Sequence, residues 1–153
     1  MKITEILSQD MLLPELQSTT KTDVLRELAR SFIRPFPSLD PAAVAAVLAE
    51  RERLGSTAIG DGIAIPHGKI RGVNRIAGAF GRHPKGVDFD SLDGNPTHLF
   101  FVLIAPEDST SLHLKALARV SRLFRDGAFR ERLEAAITAE DLYRLIVEED
   151  SRY

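Results

Sequence analysis

The segment from Glu50 to Ile70 reads ERERLGSTAIGDGIAIPHGKI and holds the densest set of residues able to do chemistry. Its centre is His67, between Pro66 and Gly68. Proline restricts φ on one side, and glycine admits close approach of a bound group on the other, so the imidazole is held rigidly at a surface. An imidazole serves as nucleophile, general base or metal ligand, and with an ordinary pKa near 6.5 it is mostly neutral at neutral pH. The surroundings favour an anionic reaction partner. Ser56 and Thr57 offer hydroxyls, and the glycines at 55, 60, 62 and 68 expose backbone N–H groups of the kind that cradle phosphates. Phosphoryl transfer spreads negative charge over three equatorial oxygens and needs donors of this sort around a nucleophile.

Two further residues belong to this reading. Arg51 falls on the stripe Val44, Val47, Leu48, Arg51 of a predicted helix, where a bare charge needs a partner. It either complements the negative end of that helix or turns toward an anion near His67. Glu52 and Arg53 read as solvated charges. His113 shares a helix face with Leu117, Val120 and Phe124 near the helix start, where the dipole disfavours a protonated ring. It either donates an N–H to a phosphoryl oxygen or is a core-edge histidine bonded to the backbone. His83 and His98 lie beside turns and are assigned no role. A metal-dependent hydrolase built on His67 and His113 lacks a carboxylate or third histidine at ligand spacing.

The elements that must position these residues are punctuated by proline, glycine and capping residues. A first long helix is predicted from about Thr22 to Ile33, stopped by Pro35 and Pro37. A second starts at Asp40-Pro41 and ends near Gly55. Strands are predicted at Ile63 to Ile65, Ile76 to Gly81, Val87 to Phe89 (a short edge strand) and Leu99 to Ala105, the last apolar on both faces and central. Helices follow over Ser111 to Arg125, with Gly127 as a stop, over Phe129 to Ile137, and after a Thr138 cap. This order implies an α/β or α+β single domain spanning residues 1–153, with a mixed central sheet flanked by helices on both faces.

Composition narrows the function classes. The 153 residues carry a formal charge of -2 and 27% charged residues, without the basic excess of a nucleic-acid binder. There is no cysteine, which removes disulfides, thiolate metal sites and cysteine nucleophiles. The apolar run Leu99 to Ala105 is far short of the roughly 20 residues of a membrane helix. Met1 to Leu13 lacks the basic start and apolar core of a signal peptide. A soluble, cytoplasmic protein without membrane insertion is expected.

The run from Arg51 to Lys69 resembles the active-site signature of the enzyme IIA proteins of the mannitol/fructose class of the bacterial phosphotransferase system, most closely its nitrogen-regulatory branch. The matching residues are Arg51-Glu52, Gly55-Ser56-Thr57 and Gly62 through Lys69. The similarity extends to Pro106, His113-Leu114 and Glu140 through Tyr143. The resemblance implies the mannitol-type enzyme IIA fold. It also implies that His67 is the phosphoryl acceptor, with His113 and Arg51 as stabilising residues beside it. Ser56, Thr57 and Gly68 are then expected to support the phosphoryl group. Ala58 stands where glycine is common and Asp61 where asparagine is common; a carboxylate there is expected to raise the energy of a phosphohistidine or alter partner choice.

The implied partners are a histidine-containing phosphocarrier protein as donor, and either regulatory target proteins or a separate IIB component as the next contact. No cofactor or tightly bound metal is required. In this class the IIB acceptor is a cysteine, so a chain without cysteine does not include that domain, which favours a regulator over a sugar-transport component. Ile59, Ile63 and Ile65 are the expected apolar docking collar, with burial of the last two as the alternative.

Overall fold

The computed structural model describes every residue from Met1 to Tyr153. Its organising element is β6 (Thr97–Ala105), whose apolar run Leu99 to Ala105 is buried on both faces. Such a strand needs neighbours on both edges and cover on both faces. On one edge β5 (Ala77–Val87) pairs antiparallel, with Phe80 opposite Phe101 and Gly81 opposite Phe100. Beyond it β1 (Leu12–Leu13) pairs parallel with β5. On the other edge β3 (Ile63–Ala64) and β4 (His67–Lys69) pair parallel with successive parts of β6. β2 (Ala58–Gly60) closes this side antiparallel to β3. The sheet is therefore mixed and helices cover both faces, as the order of predicted elements implies.

Neighbouring strand residues point to opposite faces, so the contacts of Phe80 and Gly81 identify the two layers. On the Gly81 side lie α1 (Lys21–Arg30), capped by Thr20, and α2 (Pro41–Arg53), capped by Asp40. A Cβ on Gly81 would come within 2.9 Å of Leu16 and Leu28, so the glycine lets α1 approach the sheet. On the Phe80 side lie α3 (Thr110–Leu123) and α4 (Gly127–Ala135). Here Phe124, directly after α3, stacks on Phe80 at 5.9 Å between ring centroids and meets Phe101 at 6.1 Å and Phe129 at 5.5 Å. The last helix, α5 (Ala139–Asp150), is capped by Thr138. It returns to the chain start, where Asp150 accepts a hydrogen bond from the Ile3 amide at 2.9 Å and from Arg119 Nε at 2.6 Å. No helix is long and apolar enough to cross a membrane.

Several boundaries differ from the sequence reading. The first helix ends at Arg30 and tightens into a 3₁₀ turn over Ser31–Ile33. Gly127 begins α4, because the Asp126 side chain accepts hydrogen bonds from the amides of Ala128 and Phe129 and starts a new helix. Val87 belongs to the long strand β5, so there is no separate edge strand at Val87 to Phe89. The short strands β1, β2 and β4 lie outside the predicted strands and exist through pairing: β1 with β5, β4 with β6, and β2 with β3, which β6 itself holds.

Gly68 sits at the closest contact between β4 and α2. A Cβ at this position would lie 2.6 Å from Val47 Cγ1. The substitution Gly68→Ala is expected to cost about 1–3 kcal/mol through overpacking. Combining it with Val47→Ala should recover much of that loss in a double-mutant cycle of urea denaturation midpoints.

Candidate functional site

Strand alternation builds the site. His67 is in register with Leu103, Gly68 with Ile104 and Lys69 with Ala105. Residues paired in this way share a face, so His67 and Lys69 join Leu103 and Phe101 on the side covered by α3, while Gly68 turns to α2. His67 therefore opens a strand; its immobility comes from pairing with the sheet centre as well as from Pro66, whose carbonyl accepts from the Leu103 amide at 3.0 Å. Across from it, α3 presents His113 on its buried face with Ala116, Val120 and Leu123. The His67 and His113 rings meet edge to face, 5.5 Å between centroids at 76°. The Lys69 ammonium is hydrogen-bonded to the Thr110 hydroxyl, one turn before His113.

The His67 ring is oriented by one bond. Its Nδ1 lies 2.8 Å from the Ile65 carbonyl oxygen. A carbonyl only accepts, so Nδ1 carries the proton. In the neutral ring Nε2 then holds an unshared electron pair, free to act as a nucleophile. Burial lowers the His67 pKa below its ordinary value, and the Arg51 charge lowers it further; the Ile65 bond and the Glu52 charge oppose this without reversing it. The His113 pKa is also lowered, first by burial and then by the charges of His67 and Lys69. Both rings are neutral at neutral pH. His113 Nε2 is buried and has no hydrogen-bond partner within the protein, a costly state that an incoming ligand atom would relieve.

Arg51 sits at the C-terminal end of α2. Arg51 Nη1 donates to the Gly55 carbonyl at 2.9 Å, tying the loop to the helix end, and its charge acts on His67. Its other donors have no partner in the chain. The inward face of α2, however, is Val44, Ala45, Leu48 and Glu52, one position away from the stripe assigned by spacing. Glu52 is thus a buried carboxylate rather than a solvated charge. It accepts from the Thr57 amide at 3.1 Å and from the Thr57 hydroxyl, and pairs with Lys21 at 3.0 Å. Arg53 is solvent-exposed and pairs with Glu50 at 2.6 Å. Gly55 takes φ +135, where an L side chain is strained, while nothing crowds its Cβ position; it is needed for the turn.

Three support roles expected from the sequence change with the fold. The Ser56 hydroxyl donates to the Phe89 carbonyl at 2.6 Å and accepts from the Ala58 amide at 3.0 Å. Thr57 is buried with its hydroxyl on Glu52. Both hydroxyls are therefore committed to holding the loop rather than turned to an incoming group. Gly68 makes room for Val47 of α2, on the face away from His67. Asp61 takes φ 57 in the β2–β3 turn, a left-handed conformation that Asn and Asp tolerate, and its carboxylate lies 4.0 Å from Arg130. The charges that act on His67 are Arg51 and Glu52, not Asp61. Ile63 and Ile65 are core residues, whereas Ile59 is exposed; Leu112 and Leu114, on either side of buried His113, are exposed as well. His83 and His98 bond to the backbone at Ser18 and His83. No group of three or more His, Cys, Asp or Glu side chains is placed to hold a metal ion.

The site is thus two facing imidazoles, His67 and His113, on a mixed sheet, with the Arg51 charge acting on His67. The chain belongs to the family described as "Phosphoenolpyruvate-dependent sugar phosphotransferase system, EIIA 2", whose model matches residues 5–149. Members of this family take part in phosphotransfer between proteins. The chain is 41% identical over 146 residues to a nitrogen regulatory protein of Bradyrhizobium diazoefficiens, covering 95% of each. It is 37% identical over 150 residues to the fructose-specific EIIABC component of Bacillus subtilis, covering 98% of this chain but 24% of that protein. The crystal structure of the nitrogen regulatory protein IIA-Ntr from Neisseria meningitidis superposes with a TM-score of 0.88 at 36% identity, covering 94% of this chain and 98% of that one.

The lowered pKa values carry a stability consequence. Between the ordinary value of about 6.5 and the lower folded values, the unfolded chain binds protons that the native rings do not. Stability is therefore complete above about pH 7 and falls as the pH drops through about 6.5 toward the folded values. Urea melts at about pH 7.5 and about pH 5.5 should show this loss, and His67→Ala should reduce it.

Proposed function

We propose that His67 accepts a phosphoryl group at Nε2 from the phosphohistidine of a histidine-containing phosphocarrier protein. The phosphorylated chain then acts as a nitrogen-regulatory enzyme IIA. The observation that carries the reading is the Nδ1–Ile65 bond, which leaves Nε2 as the free nucleophile beside an unpaired His113 Nε2. The Nε2 lone pair forms the new N–P bond as the donor's N–P bond breaks and its electron pair returns to the donor imidazole. His113 Nε2, if it carries the ring proton, donates to an equatorial oxygen, and the free donors of Arg51 offset the charge. Catalysis is then mainly positioning and electrostatics. Leu112 and Leu114, with Ile59, replace Ile63 and Ile65 as the apolar contact for a partner.

The regulatory role is supported by similarity to a stand-alone nitrogen regulatory protein over nearly the full length of both chains. A phosphate adds charge beside the exposed leucines, so it can switch an apolar contact off or create an arginine-pairing site. The second reading, transfer to a separate IIB component, is favoured by the similarity to the fructose-specific protein. Phosphate passing from the phosphorylated chain to a IIB cysteine at a rate matching its acceptance would favour it.

Incubation with phosphoenolpyruvate, the upstream kinase and the phosphocarrier should add one acid-labile phosphate by intact mass. His67→Ala should add none while keeping its fold; normal acceptance by this variant would defeat the reading. His113→Ala is expected to slow acceptance roughly a hundredfold, the scale of losing one transition-state donor. Arg51→Ala should slow transfer or shorten the phosphoprotein lifetime, and unchanged rate and lifetime would reduce Arg51 to a helix-end charge.

A further inference from the structure

A continuous chain of polar contacts runs from the buried end of α2 to the His67 ring. Lys21 Nζ lies 3.0 Å from Glu52 Oε1. The Glu52 carboxylate accepts from the Thr57 amide at 3.1 Å and from the Thr57 hydroxyl. The Thr57 carbonyl accepts from the Ile65 amide at 3.1 Å. The Ile65 carbonyl, at the other side of the same residue, accepts from His67 Nδ1 at 2.8 Å. The Glu52 side chain is 5% exposed, and Lys21 also pairs with Asp90 at 3.3 Å and lies over the Phe89 ring.

A carboxylate on the inward face of a helix is expensive, and an apolar residue would fill the same place without that cost. Here each Glu52 oxygen is engaged by a Thr57 donor, the amide on Oε1 and the hydroxyl on Oε2, and the Thr57 carbonyl supports Ile65. We propose that Glu52 is a positioning residue for His67: through Thr57 it holds residue Ile65 by its amide, and the Ile65 carbonyl selects the tautomer and orientation of the ring. Its charge is the second part of the same role. The groups facing His67 are Arg51 and Glu52 from the α2 side, Lys69 on its own strand and His113 from α3. Glu52 is the one negative charge among them, and it partly offsets Arg51 at the imidazole. The consequence for phosphoryl transfer rests on His67 being the acceptor; the effect on the ring itself does not.

The test compares Glu52→Gln, which keeps volume and an acceptor for Thr57, with Lys21→Met, which keeps the carboxylate. Nitrogen-15 NMR reads the His67 tautomer and titration, and thermal melts report folding. In Glu52→Gln the His67 pKa should fall below that of the wild type, the Nδ1–H signal should shift or broaden, and phosphate acceptance should slow roughly tenfold, the scale expected for slight misplacement of a reacting group. In Lys21→Met the His67 pKa should not fall. A wild-type titration and Nδ1 signal in Glu52→Gln overturns the proposal, as does an equal fall in Lys21→Met. Should Glu52→Gln not fold, Thr57→Ser and Thr57→Val decide: the serine keeps the Nδ1 signal and the valine alters it, and identical signals overturn the role. Wild-type protein that accepts no phosphate while these NMR changes occur defeats the phosphocarrier reading and leaves Glu52 as a positioning residue.

Discussion

A three-residue strand has little stability of its own, and β4 exists because its backbone groups find partners on β6, the most buried strand of the sheet. That parallel pairing decides everything downstream of it. With His67 in register with Leu103, the imidazole must face α3 and Gly68 must face α2. A slip of one residue would turn the imidazole into the contact now occupied by Val47 and send Gly68 toward His113. The glycine-for-side-chain choice at 68 and the buried histidine at 113 are thus two sides of one register.

Electrostatics follow from the same placement. Two imidazoles packed against each other at the sheet edge are partly removed from water, which favours their neutral forms. Neutrality leaves one nitrogen of the His67 ring unprotonated, and the bond to the Ile65 carbonyl makes that nitrogen Nε2. Arg51 reinforces neutrality and remains available to an anion, because only one of its donors is used by the Gly55 carbonyl. The site thus keeps a positive charge near a neutral imidazole whose Nε2 is unprotonated.

Much of this was legible in the residues. Asp40-Pro41, Thr138 and Gly55 mark helix ends through capping and turn chemistry that acts within a few residues, and β6 announces itself by an unbroken apolar run. The grouping of His67, His113 and Arg51 was reachable through residue type and family resemblance. The role of Glu52 was not. Helical spacing left the α2 stripe ambiguous by one position, and a charge beside Arg51 and Arg53 looked solvated. A signal was present: Glu52 precedes Thr57 by five residues across a turn at Gly55, so the loop can fold back onto it. Ser56 and Thr57 misled for a related reason, since a hydroxyl's type does not say whether it serves a ligand or its own loop.

By itself the sequence determined the residue types and the local punctuation: an imidazole between proline and glycine, a glycine-rich loop before it, the helix caps and the central strand. These are properties of residue type and of neighbours along the chain. Tertiary structure alone decided which ring nitrogen is free, that the Ser56 and Thr57 hydroxyls hold the loop rather than turn to His67, and that Glu52 is buried beneath the loop. Bonds as short in sequence as His67 to Ile65 and Glu52 to Thr57 still need a backbone path that only the pairing of β3 and β4 with β6 fixes.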